Sequence, residues 1–219
     1  TTGVARFPDD GKTPQELLRS AEAAMFHAKR AHRGAYAFFA TNQIKETHDK
    51  LILETELRQA IENAALEVHL QPVVSVSDNV IVGMEALARW PRPGRTPVSP
   101  EVFIALAEQA GLIDKLSFQL LDSACKAVVE IRAESSTALR LAFNISALQL
   151  VDKTFVDRIT AQLAGSGLEP GHFELELTES TLMEQAGGSS RVLRRLRKAG
   201  IRISIDDFGT GFSSLAYLQ

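Results

Sequence analysis

Residues 172–178 read HFELELT, and this short stretch decides how the second half of the chain folds. Its apolar and acidic residues alternate, which is typical of a β-strand. Side chains two apart on a strand share a face, so Glu174 and Glu176 lie together while Leu175 and Leu177 face the other side. We therefore predict a strand with one acidic face and one apolar face.

Strand and helix patterns alternate on both sides of this segment. RLAFNIS at 140–146 and IRISID at 201–206 are predicted strands. KTFVDRITAQLAGSG at 153–167 and EQAGGSSRVLRRLRKAG at 184–200 are predicted helices, the first ended by glycine. Repeated strand–helix units favour an α/β fold with a parallel sheet or barrel, whose ligands bind at the carboxyl ends of the strands.

The preceding region begins with a hairpin. LEVHLQPVVSV at 66–76 and VIVGMEALARW at 80–90 are strands separated by the turn residues SDN. We expect a helix from about Pro100, capped by Ser99, and a second helix over about 114–134.

The chain divides into three predicted segments: 1–41, a helical connector at 42–64, and 65–219. The first holds a strand, a helix with Thr13 as cap, Pro14 at its first position and Glu16 three residues after the cap, and a final strand. That is too little to bury a core alone, and the chain does not begin with Met, so we expect further sequence upstream. The connector should be one helix because no Gly or Pro interrupts it. Its apolar residues, expected to face one way, are Ile44, Leu51, Leu57 and Ile61.

Composition excludes several classes of function. With 24 Lys and Arg against 27 Asp and Glu, the net charge of −3 argues against a general DNA or RNA surface. The single cysteine, Cys125, lies in an apolar helical pattern and is expected to be buried, and a reducing cytoplasm fits such usage best. No apolar run approaches the length of a membrane span.

Polar residues collect where the predicted strands end. They are Glu85, Arg89, Asn144, Glu176, Glu179, Asp206 and Asp207. Carboxylates and an amide that converge at one edge of a sheet suit a hard divalent cation, which prefers oxygen ligands.

Each of these residues also has a purely structural interpretation. The adjacent aspartates, followed by Gly209 and Gly211, fit a strand-to-turn junction. Glu85 fits an exposed strand position, Asn144 a partner for a backbone group, and Arg89 a solvated charge beside the packed ring of Trp90. Glu179 fits support of the next turn, with Thr181 and Glu184 as a capping box. These alternatives weaken because all the positions fall at equivalent points of successive strands.

Five motifs, in order, resemble the EAL family of cyclic di-GMP phosphodiesterases. They are QPVV at 71–74, EALARW at 85–90, NIS at 144–146, ELTES at 176–180 and DDFGTGFSSL at 206–215. The resemblance covers about 50–219. Residues 1–41 resemble the closing segment of a GGDEF, or diguanylate cyclase, domain. The implied fold is a TIM-like (β/α) barrel of EAL type, incomplete in this chain, preceded by an α+β remnant of a GGDEF domain.

The resemblance implies hydrolysis of cyclic di-GMP to linear pGpG with Mg²⁺ or Mn²⁺. It implies Glu85, Asn144, Glu176, Asp206 and Asp207 as metal ligands, with Glu85, Asp206, Asp207 and Glu179 as the catalytic set. Gln71 and Arg89 would contact the dinucleotide, Arg89 at a phosphate. Glu179 and the loop that begins at Asp206 would couple metal occupancy to substrate binding and to homodimerisation through the EAL domain.

Departures from the family pattern leave alternatives open. The family's later lysine, glutamate and glutamine do not occur before Gln219, so we expect the isolated chain to be inactive and a longer parent to be the enzyme. The alternatives are a cyclic di-GMP receptor that no longer cleaves and a regulatory or dimerisation fragment. The expected location is the cytoplasm, with tethering to the inner membrane by an upstream region left open.

Overall fold

The computed structural model describes residues 1–31, 36–38, 41–135, 138–178 and 189–206. It separates into two compact units, residues 1–56 and residues 57–219. Glu179 and Asp207, two of the predicted site residues, lie outside the described residues.

The first unit contains two short parallel strands and a helix. Strands β1 (Thr2–Val4) and β2 (Tyr36–Phe38) pair with Thr2 opposite Tyr36, and helix α1 (Pro14–Ala31) lies between them in the chain. The predicted capping box is confirmed: the Glu16 N–H donates to Thr13 Oγ1 at 3.2 Å, and the Thr13 N–H donates to Glu16 Oε2 at 3.1 Å.

Helix α2 (Thr41–Glu62) covers the predicted connector, but Leu51 differs in burial from two of the residues that were expected to share its face. Leu57 and Ile61 are buried, whereas Leu51 is 60% exposed. Leu51 lies six residues before Leu57, and at 3.6 residues per turn that spacing separates them by about 120° around the helix. The expectation that Leu51 faces the same way is therefore wrong.

The second unit is built on a five-stranded mixed sheet in the order β3-β4-β5-β6-β7. Its strands are β3 (Glu67–Val74), β4 (Ile81–Arg89), β5 (Arg140–Asn144), β6 (Phe173–Thr178) and β7 (Arg202–Asp206). The first pair is the predicted antiparallel hairpin, and β4 to β7 are parallel. Because sequential strands are neighbours, the carboxyl ends of β4 to β7 all lie along one edge.

Helices lie between the successive parallel strands along the chain. They are α3 (Pro100–Gln109), α4 (Ile113–Ser135), α5 (Phe155–Ser166) and α6 (Ser189–Lys198). The alternation predicted for β6 is confirmed: Phe173, Leu175 and Leu177 are buried, while Glu174 and Glu176 are partly exposed on the other face. Helix α5 ends as predicted at Gly167, whose φ of 79° is the left-handed conformation that favours glycine.

The expectation that Cys125 is buried is also confirmed, and the ring of Trp90 is packed. Cys125 is buried inside α4, and burial raises the pKa of its thiol to about 11, which leaves it unreactive at neutral pH. Trp90 is buried and meets the ring of Phe103 edge-on at a centroid distance of 5.9 Å. None of the helices within the described ranges is long and apolar enough to cross a bilayer.

Candidate active site

The register of the sheet aligns four of the predicted site residues near its carboxyl edge. Asn144 at the end of β5 lies opposite Glu176 in β6, and Asp206 at the end of β7 lies opposite Thr178. Glu85 in β4 is paired with Ala142, two residues before Asn144 and therefore on the same face. The register therefore brings these four polar side chains to the same face near one edge of the sheet.

Asn144 joins two carboxylates from neighbouring strands. Its Nδ2 donates to Glu85 Oε1 at 3.1 Å and to Glu176 Oε2 at 3.2 Å. The partly positive amide hydrogens of Asn144 thus lie between the two acidic groups and offset part of their repulsion. A half-turn of the amide about its last side-chain bond would present Oδ1 instead, and the same three side chains would then offer only oxygen atoms.

Glu176 is the most perturbed carboxyl of this set. Burial raises its pKa to about 7, and the negative charges of Glu85, Asp206 and Glu174 act in the same direction. The hydrogen bond from Asn144 opposes this rise but does not cancel it. The negative charges around Glu176 therefore add to the effect of its burial.

The two predicted substrate contacts flank this cluster. Gln71 in β3 is directly opposite Glu85 in the antiparallel pair, so their side chains lie on one face of the sheet. Arg89 ends β4, half-buried, and its Nη1 donates to the neighbouring carbonyl of Ala88 at 2.9 Å. The guanidinium thus lies at the carboxyl edge with further donors to offer.

The donor chemistry of the site fits a divalent cation, although the structure shows no compact acidic group. Among the described residues no three His, Cys, Asp or Glu side chains lie close enough together to hold an ion. The oxygens of Glu85, Glu176 and Asp206 and the amide of Asn144 are nonetheless the ligand types that Mg²⁺ and Mn²⁺ prefer. Burial and, after it, the charges of Glu85, Asp206 and Glu174 raise the pKa of Glu176, and a cation would relieve the repulsion between these charges.

Sequence reasoning left two residues of this face out of the predicted site. Glu174 lies two residues before Glu176 and helps to raise its pKa. Ser204 lies opposite Glu176 in β7, and its buried Oγ has no hydrogen-bond partner among the described residues. The period-2 alternation of β6 and β7 is the signal that would have found both.

Comparison with known proteins decides the family. A family model for the EAL domain matches residues 54–219, which includes the whole sheet and every predicted site residue. The chain belongs to the EAL domain family. A solved structure, described as the PaMucR phosphodiesterase in a c-di-GMP complex, is 41% identical, has a TM-score of 0.69, and is matched over 75% of this chain and 66% of its own.

Relatives with curated names extend the match beyond the EAL domain. MucR of Pseudomonas aeruginosa, named a bifunctional diguanylate cyclase/cyclic di-GMP phosphodiesterase, is 41% identical over 99% of this chain. NbdA of the same organism, named a cyclic di-GMP phosphodiesterase, is 38% identical over 100% of it. The chain spans only 32% of the length of MucR and 28% of that of NbdA.

Proposed function

We propose that this EAL domain carries a phosphodiesterase site that opens cyclic di-GMP to linear pGpG. The observation that carries the proposal is the bridge from Asn144 to Glu85 and Glu176, built at the carboxyl edge of a parallel sheet. The names of MucR and NbdA, and the c-di-GMP complex of the matching structure, support this substrate.

The proposed site needs a cation because its carboxylates repel one another. Glu85, Asn144, Glu176 and Asp206 would hold Mg²⁺ or Mn²⁺, with Asp207 next to them in the sequence. When bound, such ions polarise a phosphoryl group and activate water at neutral pH. The protein's part is to hold these oxygens in place. Glu176, whose pKa is raised to about 7, would lose its proton when a cation binds.

The cationic side chain of Arg89 and the neutral side chain of Gln71 would orient the dinucleotide. Arg89 can donate to a phosphate in the fork geometry that suits planar, bidentate contacts. Gln71, exposed beside Glu85, can donate and accept hydrogen bonds and so suits a polar group of the substrate. Glu179 would couple ion binding to substrate binding, as the family resemblance implies.

The finer architecture belongs to the same proposal. We infer that the five strands form part of a (β/α) barrel and that residues 1–41 close a GGDEF-type domain. The second inference is supported by the match to MucR, which covers 99% of the chain and whose name includes a diguanylate cyclase. Homodimerisation through the EAL domain and a cytoplasmic location complete the proposed picture.

A product assay with a matched glutamate control tests the function. The intact protein that carries this chain is incubated with cyclic di-GMP and either Mg²⁺ or EDTA, and products are separated by chromatography. We expect pGpG only with the cation, none from Glu85→Gln, and parental rates from Glu130→Gln, an exposed glutamate of α4. Tight binding of uncleaved cyclic di-GMP in the presence of Mg²⁺ would instead identify a receptor.

A further inference from the structure

The turn that follows Asn144 is held by a second capping box, which belongs to a helix of only five residues. Ser146 caps the short helix Ala147–Val151: its Oγ accepts from the Leu148 N–H at 3.2 Å. Gln149 Oε1 accepts from the Ser146 N–H at 3.3 Å. The chain thus leaves β5 through a turn with both of its first amides satisfied by side chains.

Two long-range hydrogen bonds join this turn to helices α3 and α4. Ser146 Oγ donates to Glu108 Oε1 of α3 at 2.5 Å. Gln149 Oε1 also accepts from Ser117 Oγ of α4 at 3.1 Å. We call Glu108, Ser117, Ser146 and Gln149 the β5 clamp.

The β5 clamp is more than a device for starting a helix. The box at Thr13 and Glu16 starts α1 from exposed side chains with local bonds alone. In the β5 clamp, by contrast, Gln149 is 3% exposed, and its Nε2 has no partner among the described residues. Burying a polar group without a partner costs about 1–3 kcal/mol. Such a cost is unnecessary for starting a five-residue helix, which indicates that the clamp also holds a neighbouring part of the chain.

The clamp begins two residues after Asn144. Between Asn144 and Ser146, the Ile145 N–H donates to the Glu176 carbonyl at 3.1 Å, which continues the hydrogen-bond ladder between β5 and β6. Asn144 therefore lies between a backbone bond to one neighbouring strand and a side-chain anchor to α3. The two residues that follow Asn144 are thus bonded to β6 and to α3.

We propose that the β5 clamp positions the Asn144 amide for cation binding, with Ser146 and Glu108 as positioning residues. The inference rests on the proposed function only in that Asn144 is taken as a ligand. Neither Ser146 nor Glu108 needs to touch the ion or the substrate. Groups that orient metal ligands in this way change metal affinity or activity by about 10–100-fold when they are removed.

Ser146→Ala and Ser146→Thr in the intact protein test the proposal. The alanine removes the anchor to α3 and the cap, whereas threonine keeps the hydroxyl and is itself a favoured cap. For Ser146→Ala we expect a Mn²⁺ dissociation constant about tenfold higher, a kcat about tenfold lower and an unchanged KM for cyclic di-GMP. Ser146→Thr should stay within about twofold of the parent in all three.

Thr13→Ala is the matched control because it removes the same kind of cap from α1. It should lower the melting temperature without changing Mn²⁺ affinity or kcat. If Ser146→Ala behaves in the same way, with reduced stability alone, the clamp is a structural element and the proposal is overturned.

Glu108→Ala keeps the test open if Ser146→Ala does not fold. It cuts only the link to α3 and leaves the cap of Leu148 in place. We expect weaker Mn²⁺ binding for Glu108→Ala and near-parental binding for Glu108→Gln, which still accepts from Ser146. Equal Mn²⁺ affinity in all three proteins would contradict the proposal.

Mn²⁺ binding is measured without nucleotide, by titration of the free Mn²⁺ paramagnetic resonance signal. If the parent binds Mn²⁺ but does not cleave cyclic di-GMP, the proposed function fails and the clamp is judged on affinity alone. If the parent does not bind Mn²⁺, the clamp proposal is overturned with it.

Discussion

The two ends of the sheet differ in how their acidic side chains are neutralised. At the carboxyl edge, Asn144 bridges Glu85 and Glu176, and burial together with the charges of Glu85, Asp206 and Glu174 raises the pKa of Glu176. At the other end, the β3–β4 hairpin turns through residues 75–80, where Val76 is fully exposed and Asp78 accepts from the hydroxyls of Ser75 and Ser77. One end thus gathers acidic side chains around a carboxyl with a raised pKa, whereas the polar side chains of the other end bond to one another.

The two faces of β6 repeat this contrast within one strand. Leu175 and Leu177 are fully buried, whereas Glu174 and Glu176 are partly exposed on the face of the candidate site. Stability should therefore depend on the odd-numbered residues and function on the even-numbered ones. Substitutions at the two ends of the sheet and on the two faces of β6 test whether stability and function are separable in this way.

The largest expected effect is the loss of turnover in Glu85→Ala. Removing a carboxylate that holds the cation should lower kcat by about a thousandfold or more, since metal ions supply several kcal/mol of transition-state stabilisation. Folding should survive because one repelling charge has gone. Chromatography of pGpG and thermal unfolding measure the two effects, with Glu130→Ala as control. A rate within a few fold of the parent would disprove the assignment of Glu85.

Leu175→Ala should have the reverse effect on the opposite face of β6. Leu175 is 0% exposed, and large-to-small substitutions at such positions lower the free energy of unfolding by about 2–5 kcal/mol. Denaturant unfolding measures the loss, and turnover is compared at a temperature where both proteins are folded. A variant of parental stability but impaired kcat would show that the two faces are not separable.

Arg89→Ala should weaken substrate binding by about tenfold, as expected for one charge-assisted contact to a phosphate. Mn²⁺ affinity should stay unchanged because the guanidinium ends β4 beyond the acidic cluster. Calorimetric titrations with cyclic di-GMP and with Mn²⁺ separate the two, and Arg89→Lys tests whether charge alone suffices. Equal loss of both affinities contradicts the assigned role.

Much of this division could be read from the sequence because alternation and strand ends are local signals. The acidic face of β6 and the convergence of Glu85, Asn144, Glu176 and Asp206 follow from period-2 patterns and parallel topology. The box at Thr13 was found because both partners are close in sequence.

The β5 clamp could not be predicted in the same way. Its bond from Ser146 to Glu108 joins residues 38 apart, and only the packing of α3 beside the turn brings them together. The prediction for Leu51 was wrong for a related reason, because apolar composition does not say which side of a long helix is buried. Local patterns thus predict faces and ends, whereas long-range anchors require the fold.

A smaller effect is expected from pH in the absence of divalent ions. Glu176 has a pKa of about 7 in the folded protein against 4.5 for an ordinary glutamate. Folding therefore takes up a proton between about pH 4.5 and 7, and stability should fall as pH rises through that window. Melting temperatures from pH 5 to 8 in EDTA should show a decline that Glu176→Gln reduces. A decline of the same size in both proteins would place its cause elsewhere.

The smallest effect is expected at the hairpin, where Val76→Lys tests the far end of the sheet. Val76 is 101% exposed, so the substitution removes no buried contact and should change the free energy of unfolding by less than about 0.5 kcal/mol. Turnover, Mn²⁺ affinity and KM should all stay parental, because the turn is separated from the carboxyl edge by the length of β4. A fall in kcat without a fall in stability would mean that the hairpin end communicates with the site. The carboxyl edge would then no longer be the sole functional end of this sheet within the described residues.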